Sequence, residues 1–107
     1  MRKLTVMLAI SAFAAVAWFV NPPEGNAAQS AARIFSSKCS GCHGPDGSGN
    51  IAGTPNFSNA EWQSSRTDAQ LLESIRNGKG KIMPAWGKQL SETQISGLVR
   101  YVRGLKK

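Results

Sequence analysis

Cys39-Ser40-Gly41-Cys42-His43 is the stretch on which the reading of this 107-residue chain turns. Two thiols two residues apart, followed at once by an imidazole, form the C-x-x-C-H spacing of covalent haem attachment. The chemistry asks for this spacing because two thioethers must reach two vinyl groups on one porphyrin edge while the next residue turns its ring onto the iron. Cys39 and Cys42 would form the thioethers and His43 would ligate the metal. Two rival uses of the cysteines lack their context. A thioredoxin-like dithiol wants a strand-helix-strand unit, and no strand alternation is visible here. A zinc site would need a second pair of ligands, and with one histidine and two cysteines in the chain it cannot be completed from Cys and His alone.

The residues ahead of the motif read as a leader. Met1-Arg2-Lys3 precedes an uncharged run of 17 residues from Leu4 to Val20, and Gly25-Asn26-Ala27 follows as a small-residue cleavage sequence. Residues 1–27 are therefore expected to be a secretory signal peptide, cut after Ala27. The alternative is an uncleaved anchor through residues 4–20, since the run reaches the lower edge of what spans a bilayer. In both cases the positive start stays cytoplasmic and the domain at residues 28–107 is exported, which places it in the periplasm. About 80 residues then remain to fold, a size that buries too little apolar surface for comfort and calls for a staple. A covalent cofactor is the staple these residues allow.

The formal charge is +7, and losing Arg2, Lys3 and Glu24 with the leader lowers it by one. Such an excess favours acidic partners or anionic surfaces. Nucleic acid is excluded as a partner because the domain is exported and its basic residues are scattered rather than clustered with aromatics.

Three segments carry helix signals, separated by loops rich in Gly, Pro and Asn, so the domain is expected to be all-α. The first helix should start near Ser30 and run toward Cys39 with Ala31, Ile34 and Phe35 on its apolar face. The second spans about Asp68 to Arg76; Thr67 and Gln70 are spaced as a capping box and Asn77-Gly78 ends it. The third begins at Ser91, with Gln94 three residues on, and places Ile95, Leu98, Val99 and Val102 on one stripe. Between Gly44 and Gln63 lies a loop of about 20 residues, acceptable in so small a domain only if it wraps around something that is not protein.

The chain resembles the class I cytochromes c, small single-haem electron carriers. The marks are Cys39-Ser-Gly-Cys42-His43-Gly44, then Thr54-Pro55-Asn56-Phe57, then Asn77-Gly78-Lys-Gly-Lys-Ile-Met83-Pro84-Ala85-Trp86, then Leu98-Val-Arg-Tyr101. The resemblance implies one covalent haem c in a small cytochrome c fold, three or more short helices and long loops wrapped around it. It implies Met83, the sole methionine after the leader, as the second axial ligand opposite His43. A thioether opposite an imidazole raises the reduction potential and fills the last position on the iron. The same resemblance gives the Pro55 carbonyl a hydrogen bond from the His43 ring. It leaves Trp62 and Trp86 either holding a haem propionate or covering the porphyrin face. In the family a glycine of the first helix packs against an aromatic of the last. The matching positions here are Ala31 and Phe35 against Leu98 and Tyr101, and the extra methyl of Ala31 is expected to crowd that crossing.

The function implied is one-electron carriage between redox proteins by a monomer, with no catalysis of its own. Lys79, Lys81 and Lys88, which flank Met83, would steer donors and acceptors with acidic docking surfaces. One alternative is a haem-based ligand sensor or peroxidase-like enzyme, against which stands the absence of a second histidine. Another is a tethered cytochrome subunit of a respiratory or dehydrogenase complex, with identical chemistry and an uncut leader. Because the short helices have little to pack on without haem, a Cys39→Ala, Cys42→Ala variant is expected to show no cooperative thermal transition by circular dichroism.

Overall fold

The computed structural model describes residues 30–107; the leader and its cleavage point lie outside the described residues. Helix α1 covers 30–43 and contains a π-helical turn at Phe35–Cys39 before its last turn, Ser40–His43. A π turn adds one residue per turn and re-aims the side chains that follow, and such turns concentrate at functional sites. Here it falls immediately before Cys42 and His43. The helix stops at Gly44, whose φ of 82° closes it with a bond from its N–H to the Ser40 carbonyl.

Helices α2 (Ala60–Ser64), α3 (Asp68–Asn77) and α4 (Glu92–Gly104) complete the described part, and no strand longer than one bridged pair occurs in it. The last two match the sequence reading to within a residue or two. Both capping boxes form: Thr67 Oγ1 accepts from the Gln70 N–H at 3.1 Å and Gln70 Oε1 from the Thr67 N–H at 2.9 Å, with Ser91 and Gln94 repeating the pattern. Helix α2 was not expected. The long loop ends at residue 59, where Asn59 Oδ1 accepts from the Trp62 N–H at 2.8 Å and starts a short helix inside what the sequence presented as a loop. An asparagine cap with Glu61 in the first turn is the local signal that identifies it.

The core joins Ala31 and Phe35 of α1, Phe57 of the loop, Leu71 and Ile75 of α3, and the Ile95, Leu98, Val99, Val102 stripe of α4, with Leu90 beneath. Each large aliphatic side chain removed from water in this way contributes about 1.5–3 kcal/mol. One polar side chain is buried with them. Gln63, only 4 % exposed, donates through Nε2 to the carbonyls of Phe57 and Val102, both at 2.8 Å, and accepts at Oε1 from Arg103 Nη1 at 2.9 Å. Arg103 in turn meets Asp68 Oδ1 at 2.8 Å and the Arg66 carbonyl. This network ties α2, the start of α3 and the end of α4 together. It is satisfied at every buried polar atom of Gln63, which is what makes burying an amide affordable.

The crossing of the first and last helices departs from expectation. Phe35 and Tyr101 do pack, ring centroids 4.9 Å apart, but Ala31 is not crowded. Its methyl faces Gly97, where even an added Cβ would stand 3.8 Å away, an ordinary contact. The small residue at the crossing has moved to the other helix. Gly97→Ala is therefore expected to raise the unfolding free energy by roughly 0.5–1 kcal/mol, through helix propensity without a clash; guanidinium denaturation of the haem-loaded protein measures it.

Candidate functional site

Two loops are pinned by backbone bonds so that their side chains face one hollow. On the first side, the loop after α1 folds back on it: the Gly49 N–H donates to the His43 carbonyl at 2.7 Å and the Asn50 N–H to the Cys42 carbonyl at 2.9 Å. Glycine is required at 49, where φ is 93° and a Cβ would lie 2.8 Å from Thr54 Oγ1. On the second side, residues 79–83 close a tight turn with reciprocal bonds between Lys79 and Met83, at 3.1 and 3.3 Å. The Trp86 and Gly87 N–H groups then donate to the Ile75 and Arg76 carbonyls, at 2.9 and 3.0 Å, so the turn hangs from the C-terminal end of α3.

Between the loops lie two adjoining cavities of about 420 and 290 Å³, a size range typical of cofactor sites. His43, Gly53, Pro55, Lys79 and Met83 line both. The hollow is thus continuous between the imidazole and the thioether. Cys39, Cys42 and Trp86 line the smaller cavity and Trp62 the larger, so all seven residues singled out in the sequence converge on this space. Lys79 and Lys81 also reach it, whereas Lys88 lines neither cavity. Among the described residues no group of three or more His, Cys, Asp or Glu side chains could hold a metal ion.

The electrostatics favour neutral groups. Burial holds His43 below its ordinary value of 6.5, keeping the imidazole neutral with a free lone pair, the form that binds metals. Burial likewise pushes the Cys39 thiol up to about 11, against the opposing charge of Lys38. Two buried nitrogens, His43 Nδ1 and Arg66 Nε, have no hydrogen-bond partner among the described residues. Such orphans are rare in folded proteins and are explained where a ligand supplies the missing partner or where the site is functional.

The hydrogen bond that the resemblance implies between the His43 ring and the Pro55 carbonyl is not formed. The Pro55 carbonyl oxygen lies 3.4 Å from where a Cβ on Gly49 would stand, and Pro55 lines both cavities. What the imidazole does touch is Phe57, stacked on it with centroids 4.7 Å apart and ring planes 23° from parallel. The indole of Trp62 packs on the same phenyl ring at 5.0 Å, and Lys38 Nζ lies 5.3 Å over the ring of Trp86. Phe57 and Arg66 are site residues that sequence reasoning did not single out. Phe57 carried a signal, being apolar inside a polar loop; Arg66, one more arginine in a basic chain, carried none.

The second loop depends on Gly78, whose φ is 77° and whose Cβ, if present, would stand 2.6 Å from the Met83 carbonyl. Gly78→Ala is expected to cost about 1–3 kcal/mol, the cost of a strained positive φ, because backbone rather than a flexible side chain is in the way. The denaturation midpoint reads it directly.

Comparison with known proteins agrees with this geometry. A family model described as "Cytochrome C oxidase, cbb3-type, subunit III" matches residues 26–102. Among curated relatives, the Cbb3-type cytochrome c oxidase subunit FixP of Azorhizobium caulinodans is 40 % identical over 85 residues, covering 78 % of this chain and 29 % of FixP. Subunit CcoP of Azospirillum brasilense is 32 % identical over 87 residues, covering 77 % and 30 %. This chain therefore spans under a third of those relatives' length. Among solved structures, the KustC0563 c-type cytochrome superposes with a TM-score of 0.68 at 31 % identity, covering 72 % of this chain and 98 % of that one. Cytochrome cL from Hyphomicrobium denitrificans gives 0.65 at 26 %, covering 76 % and 48 %. With the helical architecture, the hollow between His43 and Met83 and the family match over most of its length, this chain belongs to the cbb3-type cytochrome c oxidase subunit III family and is a class I c-type cytochrome.

Proposed function

We propose that this chain carries a single haem c and passes single electrons as the cytochrome component of an oxidase-type complex, held at the outer face of the membrane. One observation carries the reading: Cys39, Cys42, His43 and Met83, distant in sequence, line one hollow. In this proposal Cys39 and Cys42 bear the thioethers, and His43 and Met83 supply the axial donors. When bound, the haem supplies the one-electron redox chemistry. The chain does the rest. His43 is kept neutral by burial, Met83 is held by the Lys79 bridge, and Phe57, Leu71, Ile75 and Val102 keep the hollow dry. Trp62 and the unpartnered Nε of Arg66 stand at the larger cavity, where they would meet the porphyrin's carboxylates. With imidazole and thioether both committed, no position is left for a substrate, which supports transfer of electrons rather than catalysis.

The complex-bound reading follows from the relatives, whose names make them oxidase subunits. It replaces the free shuttle that the sequence resemblance suggested as the main function. Residues 1–27 would then serve as the tether and residues 28–107 as the periplasmic cytochrome domain. Among the described residues no helix is long and apolar enough to cross a membrane. A soluble, single-domain carrier remains the second reading, favoured by the 98 % coverage of the KustC0563 chain. Either would dock through the mouth of the smaller cavity, where Ile51 and Ile82 are 42 % and 66 % exposed beside Lys79 and Lys81. An apolar centre with lysines around it suits an acidic partner surface.

The test is an absorption spectrum of the full chain, recovered separately from membrane and soluble periplasmic fractions, with and without carbon monoxide. A low-spin c-type spectrum with the weak red-edge methionine-to-ferric-iron band, unchanged by carbon monoxide and found in the membrane fraction, is the expected result. Readily ligated haem would overturn Met83 as ligand. Recovery in the soluble fraction alone would overturn the tether.

A further inference from the structure

We infer that the ion pair between Arg76 and Glu92 is a clasp on the segment that carries Met83, and that it sets how readily the thioether leaves its place opposite His43. The inference rests on Met83 being the axial ligand proposed above and makes positioning residues of two side chains outside the hollow. Residues 78–91 run from the end of α3 to the start of α4 with no helix of their own, and Leu90 alone among them is fully buried. A stretch with so few buried contacts opens locally before the rest of a molecule unfolds. Opening here would carry Met83 away from the hollow. Whatever closes the base of the segment therefore controls how often the thioether is displaced.

Arg76 stands in the last turn of α3 and Glu92 is the first residue of α4, so the pair joins the two ends of the segment. The guanidinium engages with two prongs: Nε donates to Glu92 Oε1 at 2.9 Å and Nη2 to Oε2 at 2.6 Å. Paired charge-assisted bonds of this kind fix direction as well as distance. They hold the Glu92 carboxyl below its ordinary value of 4.5, so the pair stays charged at neutral pH. Glu73 flanks it, with Oε2 4.0 Å from Arg76 Nη1 and Oε1 accepting from Asn77 Nδ2 at 2.6 Å. Arg76 also grips the middle of the segment. Its carbonyl accepts from the Gly87 N–H at 3.0 Å, and its stem lies so close that a Cβ on Gly87 would stand 2.9 Å from Arg76 Cγ. The neighbouring Trp86 N–H donates to the Ile75 carbonyl at 2.9 Å, and the Trp86 carbonyl accepts from the Leu90 N–H at 2.9 Å. Carbonyl, stem and fork of one residue thus fasten the segment, and the fork alone ties it to α4.

The rival explanation is an ordinary surface ion pair that adds a little stability and does nothing to the site. Imidazole added from solution separates the two. It can take the sixth position only when Met83 has left it, so its apparent affinity reads the open fraction of the segment. The experiment titrates imidazole into the haem-loaded full chain and follows the red-edge methionine band. It compares the wild type with Arg76→Met, which keeps the stem and removes the fork, with Glu92→Gln, and with the double variant. The control is Asp68→Asn, which ends the exposed ion pair to Arg103 at the other end of α3. Arg76→Met and Glu92→Gln should each tighten apparent imidazole binding by about two- to fivefold, the range an exposed ion pair supports. The double variant should show no more than either alone, because both remove one interaction. An ionic strength of about 1 M should bring the wild type toward the variants. Asp68→Asn, whatever its denaturation midpoint, should keep the wild-type affinity. Unchanged affinity in Arg76→Met, additive effects in the double variant, or an equal shift in Asp68→Asn overturns the inference. If Arg76→Met yields no folded haem protein, Glu92→Gln decides by the same titration. A wild type without the methionine band overturns the ligand reading itself, and that outcome is seen before any variant is made.

Discussion

An apolar hollow with an imidazole on one wall and a thioether on another is the constraint around which this domain is built. A chain this short buries too little surface to stand on helix-to-helix contact alone. Its helices α1, α3 and α4 are accordingly arranged as a shell, with Leu71, Ile75 and Val102 divided between packing on each other and facing the cavity. The space that in a larger protein would hold more side chains is left for a ligand that the protein encloses. In the proposed reading a covalently attached haem would take the place of a second layer of core.

Holding the two walls in register is the work of backbone rather than side chains. The His43 side is closed by bonds from Gly49 and Asn50 onto the last turn of α1; the Met83 side hangs from the end of α3 through Trp86 and Gly87. Both closures need glycine at a positive φ, at Gly49 and Gly78, where a Cβ would run into neighbouring atoms. Loops stiffened in this way place a ligand as well as a helix would, and they leave the interior free. The buried Gln63 adds a third fastening by joining the Phe57 loop to α4.

Membership of the cbb3-type oxidase subunit III family supports the proposed reading of an electron-transfer module within a complex beside that of a freely diffusing carrier. The site geometry itself does not distinguish the two, because the same hollow and the same lysines at its mouth serve both. Attachment would distinguish the two, and in the proposed reading it belongs to residues 1–27 and to partners rather than to the cytochrome domain. That the chain spans under a third of FixP and CcoP yet nearly all of the KustC0563 cytochrome shows how one such module can occur alone or within a longer subunit.

By itself the sequence determined whatever depends on short spacings. C-x-x-C-H, the Thr67–Gln70 and Ser91–Gln94 capping boxes, the apolar stripe of α4 and the single methionine after the leader are all local patterns, and each reads out a requirement that neighbours in the chain satisfy among themselves. Helix α2 and the π turn were missed because their signals are weak next to the glycines and serines around them. Tertiary structure alone decided the rest. It placed the small residue of the helix crossing at Gly97 instead of opposite it, since the helices settle at the separation that their combined side chains allow. It stacked the ring of Phe57 on the His43 imidazole, and it brought Arg103 across to Gln63, 40 residues earlier in the chain. Which side chain meets an imidazole ring is settled by packing among residues far apart in sequence, and no spacing rule records it.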